Sequence, residues 1–122
     1  MNKKLLKAKI DVKRSPKHGY GVFAAETIKK GRIIEQCVLI ISKGRERALE
    51  DYYFQVKKGK YVILTGCGII YNHADKPNAD YHFDLKRRIA TFKATQTIRK
   101  GEEINISYGP QWFSSRGKKP KD

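Results

Sequence analysis

Along most of the chain, short apolar stretches alternate with polar punctuation rich in Lys, Gly, Asn and Pro. That rhythm predicts strands joined by turns. Ile10 to Lys13 alternates weakly and reads as a strand. Val38-Leu39-Ile40-Ile41 is an unbroken apolar run suited to a buried strand, and Tyr61-Val62-Ile63-Leu64 and Arg88 to Phe92 read as two more. Ile104, Ile106 and Tyr108 alternate onto one face of a strand after a Lys-Gly turn. One segment carries the helical period instead. Ala48, Leu49, Tyr52, Tyr53 and Val56 fall on one stripe and predict a short helix within Arg45 to Lys57, although Tyr-Tyr-Phe at 52–54 also favours a strand.

The chain also echoes itself. Phe23-Ala24-Ala25-Glu26-Thr27-Ile28-Lys29-Lys30-Gly31-Arg32-Ile33-Ile34 is matched by the stretch from Phe92 to Ile104, both containing Thr-Ile-x-Lys-Gly-x-x-Ile. Each copy reads as a strand, a connection, a Lys-Gly turn that uses glycine's access to positive φ, and a second strand. Two copies do not make a solenoid. They predict two similar small β units packed in one mainly β domain.

At 122 residues the chain holds one domain with a modest core. Its expected limits are a basic N-terminal segment at 1–11, the folded domain at 12–113, and a basic, disordered tail at 114–122. Lys and Arg number 27 against 12 Asp and Glu, a formal charge of +15 that favours polyanionic partners or a place among them. Cys37 and Cys67 are isolated. With His18, His73 and His82 they are too few and too scattered for a structural zinc site, so no metal is expected. Neither a secretory signal nor an apolar run of membrane-spanning length is present, so a cytoplasmic location is expected, or a nuclear one (the host nucleus if the source is viral), without membrane contact.

The candidate chemistry sits in three stretches. Gly19-Tyr20-Gly21-Val22-Phe23-Ala24 opens the first; alone, a Gly-x-Gly is usually a turn, and no phosphate-loop pattern accompanies it. Tyr71-Asn72-His73-Ala74-Asp75-Lys76-Pro77-Asn78-Ala79 collects turn formers and side-chain hydrogen-bonders. Gly101-Glu102-Glu103-Ile104-Asn105-Ile106-Ser107-Tyr108-Gly109 carries a phenol next to its end. A polar loop beside a strand that ends in tyrosine can build a pocket of amide, imidazole and phenol groups.

In this order the three stretches resemble the SET-domain protein-lysine methyltransferases, whose usual forms are GxG with an aromatic between, NHSxxPN, and GEEhxxxY with h apolar. Ala74 departs from the usual serine. The resemblance covers about Val12 to Phe113, and is strongest to the very small viral and bacterial members of the chlorella-virus histone methyltransferase type; Ala48-Leu49-Glu50-Asp51-Tyr52 adds to it. It implies a fold of several small β-sheets with little helix and a C-terminal pseudoknot, an exception to the usual unthreaded chain.

The resemblance also implies the cofactor S-adenosyl-L-methionine and, as substrate, a lysine-containing tail of a histone or another basic, DNA-associated protein. Tyr108 matches the catalytic tyrosine. His18, Gly19 and Tyr20 match contacts to the methionine part of the cofactor, Asn72 and His73 those to its amino group and adenine. Trp112 matches an aromatic covering adenine or the channel. Tyr52 and Ile106, with Tyr108, fall where the family lines its lysine channel. Glu102 and Glu103 read as structural. Many relatives close their C-terminus with a cysteine–zinc cluster; this chain lacks those cysteines, leaving that task to an aromatic tail. The small viral relative implies a homodimer. The rival class is a non-catalytic nucleic-acid-binding module that uses the basic charge, for DNA or nucleosome contact, with Tyr, Trp and Phe as stacking groups.

Overall fold

A computed structural model describes residues 5–16, 19–43, 53–57 and 59–108. Nine strands are formed among them: β1 (Ile10–Arg14), β2 (Tyr20–Ala24), β3 (Ile33–Ser42), β4 (Phe54–Lys57), β5 (Lys60–Leu64), β6 (Asn72–His73), β7 (Ala79–Asp84), β8 (Ile89–Ala94) and β9 (Glu103–Ile106). They make a four-stranded sheet in the order β1-β2-β9-β6 and a five-stranded sheet in the order β4-β5-β3-β8-β7. All strand pairings among the described residues are antiparallel except that of β6 with β9, where Asn72 lies opposite Asn105 and His73 opposite Ile106. Among the described residues there is no helix, and the several small sheets fit the expected fold class.

The internal echo becomes a local pseudo-twofold. Ile28 and Ile98 exchange both backbone hydrogen bonds, at 2.7 and 2.8 Å. The Gly31 N–H donates to the Ala94 carbonyl and the Gly101 N–H to the Ala24 carbonyl, both at 2.8 Å. The Ala24 N–H in turn donates to the Glu102 carbonyl and the Ala94 N–H to that of Arg32. Each Lys-Gly turn therefore closes on the other copy's strand. Both glycines have positive φ, 89° and 93°, a region side chains rarely enter, which is why the turn is spelled the same way twice. Ile28, Ile34, Ile98 and Ile104 are completely buried, as are Val22 and Phe92, so the paired copies supply much of the core.

Three expectations need correction. The apolar run at 38–41 lies in β3 but is only half buried: Leu39 is inside, whereas Val38 and Ile40 are 43% and 54% exposed. A strand in a sheet with one solvated face alternates whatever its composition. The helix expected within Arg45 to Lys57 is at its C-terminal end a strand, β4, with Phe54 opposite Val62. Cross-strand aromatic and β-branched pairing outweighs the helical spacing there; positions 45–52 lie outside the described residues. Arg88, expected to open a strand, instead ends the β7–β8 turn at φ 60°.

Because Ile28 and Ile98 are fully enclosed, Ile28→Ala or Ile98→Ala is expected to cost about 2–5 kcal/mol of stability. The double variant should fall short of additivity, since the two residues face one another across a single bridge. Denaturant titration of the four proteins checks both.

Candidate active site

The three stretches meet in the four-stranded sheet. β2 carries Tyr20 and Gly21, β9 leads to Tyr108, and β6 is Asn72-His73 itself. Asn72, 5% exposed, donates through Nδ2 to the Tyr20 carbonyl at 3.1 Å and to Glu103 Oε2 at 2.7 Å. Glu103 also accepts from the Ser15 hydroxyl at 2.8 Å. One carboxylate thus ties together the β1–β2 connection, β6 and β9, in keeping with a structural reading of Glu103. Gly21 faces this cluster directly: a Cβ there would stand 2.9 Å from Asn72 Nδ2 and 3.0 Å from Glu103 Cδ. The second glycine of the first stretch is needed for this close approach. Glu102 is exposed and accepts from the Arg99 N–H, closing the second Lys-Gly turn.

The loop after β6 grips the neighbouring strand of the sheet, β9. Asn78 donates from Nδ2 to the Glu103 carbonyl at 2.9 Å and accepts at Oδ1 from the Asn105 N–H at 2.8 Å, while its own N–H reaches the Asn105 carbonyl at 3.2 Å. The Ala74 N–H adds a bond to the Ile106 carbonyl. The turn formers of this loop serve as backbone pairing by other means.

Tyr108 follows β9. Its N–H donates to His73 Nδ1 at 3.0 Å, which requires a lone pair there and leaves the ring proton on Nε2, 3.2 Å from Asp75 Oδ1. The Tyr108 hydroxyl donates to the Tyr71 carbonyl at 2.7 Å. Burial pushes this phenol up to about 12, with smaller contributions from Tyr81 and the Glu103 charge. It stays neutral throughout the physiological range.

Some groups around Tyr108 are not among the sequence-based candidates. Phe54 packs edge-on against its ring at 6.0 Å, and Tyr81 and Phe83 pack on Phe54, giving one side an aromatic wall. The signal for β7 is present as the alternation Tyr81-His82-Phe83. Behind the site, Tyr71 is fully buried, stacks on Phe92 at 4.5 Å, and donates its hydroxyl to Glu35 Oε1 at 2.7 Å. Glu35, itself buried, takes a second bond from the Cys67 N–H at 3.0 Å. It thereby holds the residue whose carbonyl orients Tyr108.

Of the expected site residues, Gly19, Tyr20, Asn72, His73, Ile106 and Tyr108 lie on these adjoining elements. Tyr20 is 59% exposed, whereas Ile106 is fully buried, two positions before Tyr108. His18, Tyr52 and Trp112 lie outside the described residues. No cluster of metal-ligating side chains occurs among the described residues.

A model of the SET domain matches residues 19–109. The chain belongs to the SET domain family. This SET domain is similar to a Schizosaccharomyces pombe histone-lysine N-methyltransferase specific for H3 lysine-37, with 29% identity over 117 residues, covering 89% of this chain and 80% of the relative. It is also similar to the crystal structure of a Plasmodium falciparum protein assigned as a histone methyltransferase, with a TM-score of 0.74 and 36% identity over 88% of this chain and 98% of that one. It is a protein-lysine methyltransferase. The rival reading as a nucleic-acid module accounts for the charge but not for these matches.

Several groups here favour their neutral forms. Burial raises the Cys67 thiol to about 11 and the Tyr81 phenol to about 12, and moves Cys37 and Tyr71 further up, with the Glu35 charge also acting on Cys37, Cys67 and Tyr71. Above about pH 9 these groups ionise in the unfolded chain and not in the folded one, so the unfolded state binds fewer protons and stability falls. The melting temperature should therefore decline steadily from about pH 9 to about pH 11. Tyr71→Phe should cost about 1–3 kcal/mol at neutral pH, since Glu35 loses a buried donor, and should flatten that alkaline decline.

Proposed function

We propose that this chain transfers methyl groups from S-adenosyl-L-methionine to a lysine in a histone tail or another basic, DNA-associated protein, with Tyr108 at the reacting atoms. The observation that carries the reading is the bond from the Tyr108 hydroxyl to the Tyr71 carbonyl. It commits the phenol's one proton to the protein and fixes where the oxygen stands.

The donor set fits the cofactor. Among the described residues the hydrogen-bonded cluster is built of amide, imidazole, phenol and carboxylate groups, which suit a sulfonium and its ammonium. Asn72 spends Nδ2 on Tyr20 and Glu103, which leaves Oδ1 as an acceptor suited to an ammonium. His73 has both ring nitrogens engaged, so its contribution to adenine binding falls to the backbone or the ring face. Gly19 and Tyr20 offer backbone at the exposed start of β2. His18 and Trp112 complete the proposed contacts by family resemblance, and Tyr52 and Ile106 the channel.

When bound, the cofactor supplies a methyl group on a positive sulfur that an uncharged lysine amine displaces in line. Free lysine has a pKa of about 10.4, so the channel must favour its neutral form. The wall of Phe54, Tyr81 and Phe83 supports that by desolvation. The Tyr108 oxygen would hold the methyl through C–H···O contacts worth about 0.5–1 kcal/mol each, and alignment and water exclusion would supply most of the rest. DNA or nucleosome contact through the basic surface, and a homodimer as in the small viral relative, belong to the same proposal.

Tyr108→Phe keeps the ring and the packing, and labelled-methyl transfer to histones is expected to fall about 10²-fold or more. Transfer at the parental rate by a folded variant would refute the assignment. In the parent, kcat/KM should rise with pH between about 7 and 10 as the substrate amine deprotonates, with no downturn from Tyr108, whose pKa lies at about 12. Asn72→Ala should weaken cofactor binding. It should also cost about 1–3 kcal/mol of stability, because Glu103 loses its buried donor; calorimetry and thermal melts read the two effects apart.

A further inference from the structure

The pairing of Ile28 with Ile98 brings to one surface two turns that are 70 residues apart in sequence (Ile28 to Ile98, Gly31 to Gly101). Lys29 and Lys30 come from the first turn, Arg99 and Lys100 from the second, and all four side chains are exposed. Thr27 and Thr97, also exposed, stand between them. With Ile28 opposite Ile98 in an antiparallel bridge, Lys29 and Arg99 are diagonal neighbours, about 7–8 Å apart.

The nearby acids do not cancel this charge. Glu26 is held by Arg32 at 3.1 Å and by the Lys9 N–H at 2.9 Å, and these contacts depress its pKa, so that carboxylate is already committed. Glu102 is turned back onto the Arg99 backbone. None of the four cations pairs with a carboxylate among the described residues. Lys7 and Lys9, both exposed, extend the basic surface past Arg32, which reaches the Lys7 carbonyl at 2.9 Å.

The geometry points to this paired-turn ridge as a docking surface for the phosphate backbone of duplex DNA. One feature favours a duplex over a single strand. Single-strand sites add aromatic platforms to their cations, and the ridge has none. Among the described residues the strongly exposed aromatic is Tyr20, which lies at the candidate active site. Lysine and arginine beside threonine hydroxyls are the groups that contact phosphate without reading sequence. A polyanion also resolves an electrostatic conflict: a chain of charge +15 repels a basic tail unless DNA bridges the two. That conflict presupposes the proposed substrate class; the ridge itself does not.

The test is a fluorescence-anisotropy titration of the full chain with a labelled duplex at several salt concentrations. The variant Lys29→Ser/Lys30→Ser/Arg99→Ser/Lys100→Ser is compared with a control of equal charge change, Lys13→Ser/Lys43→Ser/Lys86→Ser/Arg87→Ser, whose sites are exposed elsewhere. The ridge variant should bind roughly tenfold or more weakly, and its log–log salt slope should flatten by about three to four units, at about 0.9 for each phosphate no longer neutralised. The control should keep its slope within about one unit. Transfer to a free tail peptide should be unchanged in the ridge variant, while transfer to nucleosomes should fall. Equal losses in both variants would show diffuse charge and overturn the ridge. Competition by a single strand or an acidic peptide as effective as the duplex would overturn the choice of partner. The DNA titration needs no turnover, so a chain inactive in methyl transfer leaves its outcome intact.

Discussion

Strand β9 is buried along nearly its whole length, and a buried backbone must find partners for every N–H and C=O. On one side β2 supplies them. On the other the chain offers only two residues of parallel strand, Asn72 and His73, and the shortfall is met by Asn78, which bonds the β9 backbone through its side-chain amide and its own N–H. This requirement sets much else. It draws the Asn-His loop against β9, places the Glu103 carboxylate between three elements, and delivers Tyr108 to the Tyr71 carbonyl. The polar residues that read as a binding loop are first of all the scaffold of that strand.

The same arrangement explains why positioning at this site is shared. Tyr108 is held at its N–H by His73 and at its hydroxyl by the Tyr71 carbonyl, and Tyr71 is anchored at its far end to Glu35 on the other sheet. A phenol fixed at both ends loses little further freedom when a reacting group arrives, the economy that preorganised sites depend on. The anchoring carboxylate is buried, so removing its donors is costly, and the packing of the two sheets is coupled to the orientation of one hydroxyl.

Much of this is legible in the sequence, for identifiable reasons. The three ordered stretches, with Tyr108 at the end of the last, are local patterns, and the duplicated Thr-Ile-x-Lys-Gly-x-x-Ile is recognisable because each turn needs glycine at positive φ. What stays hidden depends on long-range partners. β6 is two residues long and has no period to detect. β7 alternates in Tyr81-His82-Phe83, yet acids at Asp80 and Asp84 bracket it and dilute its strand signal. Glu35 looks like any charged residue until Tyr71 and Cys67 arrive from more than 30 positions away. The spacing of Ala48 to Val56 reads as helical because nothing in it announces that Phe54 will find Val62. Val38 and Ile40 show the converse, an apolar run that pairing alone turns half outward.

The interlocked copies have a consequence for how such a chain folds and diverges. Each Lys-Gly turn closes on a strand from the other copy, so neither half can complete its own hydrogen bonds, and folding must wait for contacts 70 residues apart (Ile28 to Ile98). Nonlocal order of this kind slows folding more than it limits final stability. It also frees the chain between the copies, since loop-closure entropy grows only by about 0.6 kcal/mol for each doubling of length. Strands β4 and β5, with the Gly59 turn between them, pair onto β3 and take no part in that interlock. Such a fold is closed at its centre and open to growth at its rim, where whole segments can be inserted while the hydrogen-bonded web around β9 stays as it is.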